Sequence, residues 1–240
     1  MMRSRQNHNG AEPSRHRILA AAIRTFSEQG MAGARIGTIA AEADVNKALL
    51  YYYFRDKEAL YAASLEEVAG KVAESALAVL DLDCSPGERM LRFTLQHFDR
   101  ILCQQGFQAL MQQEMVRFRE GRSDALRILA KKAFEPMFVR AQIIIRDGIR
   151  AGELCDVDWM QMMYAALGAN VFYFLSAPMV RIVKPGDPMD PAAIAARRRA
   201  AIEFLGHAIF VNRKHGARLA KQVLSAMPMP KDASLEKKTA

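Results

Sequence analysis

The stretch from Val45 to Leu60, VNKALLYYYFRDKEAL, places three consecutive tyrosines directly before Phe54 and a cluster of charged residues. Three successive positions of an α-helix span about 200° of its surface, so the tyrosines cannot all face one core. A buried aromatic cluster is the alternative, and it leaves no place for Tyr52. Leu50 and Phe54, four residues apart, can be buried together. The stretch therefore predicts a short helix with one buried face and one exposed aromatic face.

Two further amphipathic helices precede this stretch. Apolar residues recur at helical spacing over residues 18–26, and Gly30 ends the pattern; a shorter pattern covers residues 36–43. Asn46 can cap the third helix, because its side-chain oxygen can accept an unpaired backbone N–H of the first turn. Two helices joined by a tight turn, the second of them capped, describe a helix-turn-helix, whose second helix can enter the major groove of DNA.

Helical patterns also fill the rest of the chain. Asp56 can cap a long helix that runs to about Leu82. Further patterns cover residues 87–104, 106–119, 122–150, 157–177 and 191–213. Pro136 lacks the N–H of the helical ladder and should interrupt the 122–150 pattern. Because alternation with a period of two is nowhere sustained, the chain is predicted to be all-α, with about nine helices.

The composition is that of a soluble globular protein, with 51% hydrophobic and 25% charged residues in a chain of 240. Cys84, Cys103 and Cys155 are odd in number and widely spaced, which favours neither a disulfide framework nor a zinc site. The sequence contains no nucleophile elbow, Walker loop or His-Glu-x-x-His motif. We therefore expect a cytoplasmic protein that is not an enzyme and has no catalytic residues, metal or cofactor.

The net charge of +8 is unevenly distributed. Residues 1–60 carry +3, residues 61–180 carry −2, and residues 181–240 carry +7. Because the largest excess lies in the last quarter of the chain, the net charge does not by itself locate a DNA-binding surface.

A specific string of residues accompanies the helix-turn-helix pattern. It consists of Ile18-Leu19, Ala21-Ala22, Phe26, Gly30, Ile39-Ala40, Ala43, Val45, Leu50-Tyr51, Tyr53-Phe54, Lys57-Glu58 and Leu60. With this string the segment resembles the TetR family of transcriptional regulators. The resemblance implies an N-terminal three-helix helix-turn-helix domain that binds DNA, followed by a helical domain that binds a small effector and dimerises. The domains expected are a flexible basic arm (1–13), a DNA-binding domain (14–60), an effector-binding and dimerisation domain (61–213) and a partly disordered tail (214–240).

The resemblance also implies roles for side chains around the third helix. Tyr51, Tyr53 and Lys57 match residues that contact phosphates, and Lys47, Ala48 and Tyr52 match residues that face bases. Hydroxyl groups and a lysine can donate to phosphates. Because phosphates are the same at every base pair, such contacts fix the position of the protein on DNA without recognising the base sequence. The full set of expected DNA contacts is Arg35, Thr38, Asn46, Lys47, Ala48, Tyr51, Tyr52, Tyr53 and Lys57.

Three residues depart from the family pattern. Asp44 stands at a turn position that is usually glycine, and it tolerates a positive φ less well than glycine. Leu49 replaces a small or hydroxylated residue and cannot donate to a phosphate. Arg35 replaces a capping hydroxyl, so we expect the second helix to lose a side-chain cap, while the guanidinium could hold a phosphate instead.

The middle helices carry polar groups among bulky apolar side chains, which is the pattern of a ligand pocket. The candidate effector-binding residues are Phe93, His97, Met111, Glu114, Met115, Phe118, Tyr164, Asn170 and Tyr173. Each has an alternative: the methionines and aromatic residues can be ordinary core, His97 can lie at the surface, and Glu114 can pair with an arginine.

The 22 residues of WMQMMYAALGANVFYFLSAPMV, 159–180, carry no formal charge. The segment is long enough to cross a bilayer, which leaves a membrane-attached regulator as an alternative. An apolar helix can also be buried between partners, and small residues such as Ala165 and Ala169 favour close helix packing. We expect a homodimer through residues 157–177 and 191–213, with Arg197–Arg199 mostly solvated, and no membrane contact.

The sequence thus predicts a homodimeric regulator that binds a double-stranded DNA operator. It is expected to be a repressor released by a small, largely apolar effector. The alternative within the same class is a helix-turn-helix regulator without a small-molecule effector, controlled by a protein partner or acting as an activator.

Overall fold

A computed structural model of the chain describes residues 11–231, except for the side chains of residues 11–13 and 105. Within this range the chain forms helices and no β-strand, and one isolated antiparallel bridge joins Leu154 to Phe210. The predicted all-α class is therefore confirmed. Residues 1–10 and 232–240, which include most of the expected arm and the end of the expected tail, lie outside the described residues.

The helices follow one another with short connections. In chain order they are α1 (Ala11–Gly33), α2 (Ile36–Glu42), α3 (Lys47–Tyr53), α4 (Lys57–Leu80), α5 (Pro86–Cys103), α6 (Gln105–Arg119), α7 (Ala125–Leu129), α8 (Glu135–Arg150), α9 (Trp159–Met163), α10 (Ala169–Val183), α11 (Pro191–Ala208) and α12 (Arg213–Ala226). A π-helical turn at Ala130–Phe134 joins α7 to α8, and another at Tyr164–Gly168 joins α9 to α10.

The described residues form two compact units, one of residues 11–72 and 106–134, the other of residues 73–105 and 135–231. The first unit holds the whole predicted DNA-binding domain, and α6 and α7 belong to the same unit. The domain boundaries drawn from the sequence stay predictions.

The core of the first unit forms where α1, α3, α4 and α6 bury their apolar faces. Phe26 of α1 and Tyr61 of α4 are both fully buried, and their rings meet edge to face with centroids 5.1 Å apart. Gly106 lets α6 approach α1, since a Cβ at Gly106 would lie 2.7 Å from Cβ of Ser27. Close packing of this kind leaves little room for substitution.

In the second unit, α5 is amphipathic and buries one broad face. Ser85 caps it, because its Oγ accepts the Glu88 N–H at 3.2 Å, and Pro86 occupies the first turn. The Glu153 carboxylate accepts from Ser85 Oγ at 2.6 Å and from Gly87 N at 3.0 Å. The carboxylate therefore satisfies a backbone donor at the start of α5, where the helix dipole also favours negative charge.

Two predicted helix boundaries are corrected by the structure. The helix expected at 157–177 runs from Trp159 to Val183 and includes Pro178. The 122–150 helix begins at Ala125, and its π-helical turn ends two residues before Pro136, so the predicted interruption occurs. Pro178 removes one backbone donor, but the helix continues for five further residues, to Val183.

The segment after residue 208 also differs from the prediction. The helix expected at 191–213 ends at Ala208, and α12 occupies residues assigned to the tail. Asn212 caps α12 by accepting the His215 N–H at 3.1 Å, and Leu219 is among the residues that α12 buries. Because the segment is rich in basic residues, its narrow apolar face was not recognised in the sequence.

The expected solvation of Arg197–Arg199 is wrong for Arg198, which is buried. Its Nε and Nη2 donate to the Asp99 carboxylate of α5 at 2.7 and 2.8 Å, and Nη2 also donates to the Met227 carbonyl oxygen at 2.7 Å. A buried guanidinium is tolerated when a carboxylate and further acceptors surround it. The partner lies 99 residues away in the chain, which is why local sequence did not reveal it.

Candidate nucleic-acid interface and effector region

The turn before α3 has the geometry that the sequence requires. Asp44 adopts φ +53°, and the Val45 N–H donates to the Ala40 carbonyl oxygen at 3.0 Å. Asn46 is extended, and its Oδ1 accepts the Leu49 N–H at 2.7 Å, so the predicted cap of α3 is present. Because the cap occupies Oδ1, the Nδ2 group of Asn46 is the part that remains for a DNA acceptor.

The two faces of α3 are separated as predicted. Leu50 and Phe54 are buried, whereas Asn46, Lys47 and Ala48 are exposed. Of the tyrosines, Tyr52 is 79% exposed and Tyr51 48%, while Tyr53 is half-buried and meets the Tyr52 ring edge to face at 5.2 Å. The exposed face therefore presents a lysine, an alanine and phenolic groups around a short, capped helix.

Two expected contact residues lie beside α2. Arg35 is the residue before the helix and makes no side-chain capping hydrogen bond, which confirms the expected loss of the cap. Arg35 and Thr38 are both exposed. Lys47 lies across Gly37, since a Cβ at Gly37 would be 3.0 Å from Lys47 Cε and 3.3 Å from Nζ. To reach a base edge, the Lys47 side chain would have to swing away from α2.

The start of α4 is capped and holds Lys57 in place. Asp56 Oδ1 accepts the Ala59 N–H at 2.8 Å, and Oδ2 accepts from Arg55 Nε at 2.8 Å. The backbone hydrogen bond, with help from Arg55, lowers the pKa of Asp56. Lys57 Nζ donates to the Ala32 carbonyl oxygen at 3.3 Å. The lysine thus has a partner within the protein as well as its expected role at a phosphate.

The sequence of these helices matches the model of a known protein family. The family model described as "Bacterial regulatory proteins, tetR family" matches residues 18–64, from α1 to the first turns of α4. Residues 18–64 are therefore similar to the N-terminal domain of the TetR family. The match covers the capped third helix and the turn at Asp44, which are the features that the sequence resemblance singled out.

Curated proteins are similar to this chain over about a third of its length. The repressor SCO4008 of Streptomyces coelicolor is 40% identical over 89 residues, which are 36% of this chain and 45% of the repressor. The repressor NicS of Pseudomonas putida is 39% identical over 82 residues, 34% of this chain and 38% of NicS. The match thus spans less than half the length of each of these relatives.

Solved structures show a similar fold over most of the chain. FadR of Bacillus subtilis, solved in complex with stearoyl-CoA, has a TM-score of 0.61 and 19% identity, covering 79% of this chain and 96% of FadR. A regulator from Saccharomonospora viridis, solved in complex with choline, has a TM-score of 0.64 and 19% identity, covering 83% of this chain and 98% of that protein. At this identity the likeness concerns the fold alone.

Four of the predicted effector residues lie on α6, in the first unit. Met111 and Glu114 are buried, Phe118 is half-buried beneath the Arg127 guanidinium, and Met115 is exposed. The helical spacing of these residues predicted that Met115 would lie with Met111 and Phe118. In the structure, Met115 lies on the exposed side of the helix.

Glu114 sits in a polar cluster that sequence analysis did not identify. Neither carboxylate oxygen makes a hydrogen bond, and the nearest charged group is Arg117 Nε at 3.5 Å. Arg117 also lies over the Tyr61 ring and donates to Glu58 at 2.9 Å. Burial, followed by the charge of Glu114, raises the pKa of Tyr61 to about 12. The alternative of an arginine pair for Glu114 is therefore present, although the pair is long.

The other five predicted effector residues lie in the second unit. Phe93, His97 and Asn170 are buried, Tyr173 is half-buried, and Tyr164 is 64% exposed. The structure brings His97 and Asn170 together, with Nδ1 and Nδ2 3.4 Å apart. Tyr173 donates its hydroxyl hydrogen to the Pro188 carbonyl oxygen. Effector roles for all nine residues stay predictions.

Arg100 lies on α5 with Phe93 and His97 and was not among the effector residues predicted from the sequence. It follows His97 by three residues and Phe93 by seven, so the three share one face of α5. That spacing was the available signal. Among the described residues, no group of three or more histidine, cysteine or acidic side chains could hold a metal ion.

Within residues 11–231, one helix is long and apolar enough to cross a membrane by length and composition, and it runs from Trp159 to Val183. Only 17% of its most apolar stretch of 18 residues is buried. The exposed side carries the large residues Phe172, Leu175, Met179 and Ile182, at spacings of three, four and three. Such spacing forms one continuous apolar face, which we call the α10 face.

Proposed function

We propose that the protein is a sequence-specific DNA-binding regulator that inserts α3 into the major groove. The observation that carries the proposal is the separation of α3 into a buried face with Leu50 and an exposed face with Lys47 and Tyr52. The exposed groups can donate to phosphates and base edges, and the capped helix holds them in register. Similarity to two named repressors over the same segment supports repression as the sign of regulation.

Footprinting of the purified protein on the DNA upstream of its own gene tests this function. We expect protection of two half-sites about one helical turn apart, or a multiple of it, and a loss of protection as salt rises. Absence of protection, or protection insensitive to salt, would contradict the proposal. A double variant, Lys47→Ala with Tyr52→Ala, provides the matched control for specific contact by α3.

The protein is proposed to act as a homodimer through the α10 face. Ile182 is 85% exposed in the single chain, and contiguous apolar surfaces of this kind mark interaction sites. On α11, Phe204 adds a further exposed aromatic residue. A second copy is favoured over a bilayer because the same chain carries a DNA-binding domain, and because a two-half-site operator requires two copies of α3.

Fractionation distinguishes the dimer from a membrane-attached regulator. We expect the protein in the cytoplasmic soluble fraction, sedimenting at twice the mass of one chain. Recovery with membranes, and release only by detergent, would instead support insertion of residues 159–180.

A small, largely apolar effector is proposed to release the protein from its operator. Two solved neighbours were crystallised with stearoyl-CoA and with choline, which supports ligand binding within this fold. The effector needs only to favour a spacing of the two α3 helices that no longer matches successive major grooves. If purified protein and operator respond to no small molecule but to a protein partner, the effector-free alternative is correct. No enzymatic activity is proposed.

A further inference from the structure

The second unit contains buried polar atoms that lack partners. Asn170 is 1% exposed, and its Nδ2 donates to the Thr94 carbonyl oxygen at 3.0 Å, while its Oδ1 makes no hydrogen bond. On α5, the Nη1 atom of Arg100 is likewise buried and unpaired. Buried polar groups in folded proteins are nearly always satisfied, so a missing donor and a missing acceptor in one region point to a ligand.

Arg100 is partly buried and, unlike the buried Arg198 of the same unit, has no counter-ion among the described residues. No carboxylate in the described part of the chain pairs with it, and the adjacent Asp99 is held by two nitrogens of Arg198. Burial lowers the pKa of Arg100 to about 10, which leaves the guanidinium charged at neutral pH. Because an uncompensated buried charge costs free energy, this position favours an anion.

His97 adds a neutral donor next to Asn170, on the same face of α5 as Arg100. Burial, and next the charge of Arg100, lower the pKa of His97 to about 3. Its Nδ1 faces Nδ2 of Asn170, which is a donor, so Nδ1 accepts and the proton resides on Nε2. The three side chains therefore offer an anion two donors and offer a hydroxyl one acceptor, Asn170 Oδ1.

We propose that Arg100, His97 and Asn170 bind the head of a small organic carboxylate that carries a hydroxyl group beside its charge. The guanidinium and the imidazole N–H hold the carboxylate, and the hydroxyl donates to Asn170 Oδ1. Phe93 lies one turn before His97 on the same face of α5 and would provide an apolar surface for the remainder of the ligand. The inference rests on the proposed function and gives the chemical class of its effector.

Calorimetric titration of the full-length protein with three related probes tests the proposal. We expect 2-hydroxyoctanoate to bind, octanoate to bind about tenfold more weakly because Asn170 Oδ1 stays unpaired, and 1,2-octanediol to bind at least about tenfold more weakly because it lacks the charge. Arg100→Gln should weaken the binding of 2-hydroxyoctanoate by about tenfold or more. The matched control is Arg92→Gln on the same helix, where Glu88 already pairs with the arginine at 2.7 Å; its affinity should stay within about twofold of wild type.

Several results would overturn the proposal: no binding of 2-hydroxyoctanoate at millimolar concentration, equal affinities for the carboxylate and the diol, or an unchanged affinity in Arg100→Gln. A second readout is the melting temperature of ligand-free Arg100→Met. It should rise, since the variant removes a buried charge without a partner, whereas a fall would show an internal structural role and count against the proposal. Operator protection by the same samples is a separate measurement, so failure of carboxylate binding leaves DNA binding standing, and failure of DNA binding leaves the titration interpretable.

Discussion

Lys57 Nζ donates a hydrogen bond to the Ala32 carbonyl oxygen at 3.3 Å, which joins the first turn of α4 to the short segment that follows Gly30 at the end of α1. Gly30 has φ +67° and interrupts the helical backbone of α1, so the acceptor of Lys57 lies outside the regular part of that helix. The contact keeps the ammonium beside the connection into α2, where Arg35 is also exposed. Both cations therefore lie on segments that flank the helix-turn-helix.

Replacing this lysine should weaken DNA binding without changing which sequence is preferred. In Lys57→Met we expect a similar loss of affinity for operator and unrelated DNA, and a reduction of about 1 in the salt slope, because one phosphate contact is lost. Fluorescence anisotropy over a salt series measures both. Lys71→Met, at a lysine of the same helix that pairs with Glu67, is the control and should match wild type. A loss confined to one operator sequence would assign Lys57 to base recognition.

Tyr52 should instead determine sequence preference, because it is the most exposed tyrosine of α3. We expect Tyr52→Ala to change the relative affinities of single-position operator variants by about tenfold at one or two positions. Tyr51→Phe, which keeps the ring and removes a hydroxyl, should lower all affinities alike. Selection from a randomised operator library measures the preference. An unchanged ranking in Tyr52→Ala would remove its base-facing role.

The crossing of α11 and α12 should tolerate no side chain at Gly216. A Cβ there would lie 2.0 Å from the Gly206 carbonyl oxygen, so the two backbones would have to separate. We expect Gly216→Ala to lower the free energy of unfolding by about 1–3 kcal/mol. Gly70→Ala, at an exposed position of α4 with no atom within 4 Å, should raise it by about 0.5–1 kcal/mol. Urea unfolding of both variants decides whether the crossing is as close as described.

Burial of neutral His97 should make the protein less stable in acid. Since burial lowers its pKa from 6.5 to about 3, the unfolded chain binds a proton between these values that the folded chain does not. Stability should therefore fall as pH decreases below 6.5, by about 1.4 kcal/mol for each pH unit. Asp99 acts in the opposite direction, because burial raises its pKa and the folded state then holds the proton more tightly.

The dependence is measured by comparing unfolding of the wild-type protein and His97→Gln from pH 7 to pH 4. The wild-type protein should lose more stability over this range than the variant. Parallel curves would show that His97 reaches solvent, which would also weaken its assignment as a neutral donor.

A charge on the α10 face should separate the proposed dimer. We expect Ile182→Asp to sediment as a monomer and to lose most of its operator affinity, since a buried, unpaired carboxylate strongly disfavours an apolar interface. Ile128→Asp, at an exposed apolar residue of α7, should remain dimeric. A dimeric Ile182→Asp would place the interface elsewhere.

The all-α class, the capped helix-turn-helix and the resemblance of residues 18–64 to the TetR family could be predicted from the sequence alone. Helical spacing around Leu50 and Phe54 fixed which face of α3 is buried, Asn46 fixed where the helix begins, and Asp44 marked the turn. These features depend on neighbours within about four residues, which is the range over which helix periodicity and capping operate. Periodicity and capping can therefore be predicted from the order of residues along the chain.

Tertiary structure decided which polar groups have partners. Arg198 was expected in solvent and is buried against Asp99, whereas Arg100 is next to Asp99 in sequence and has no counter-ion in the part of the chain that the structure describes. Tyr164 shares the exposed side of its helix with the α10 face, although its spacing suited a pocket equally well. A helical pattern gives the direction of each side chain but not what lies opposite, because that depends on packing between helices far apart in the chain.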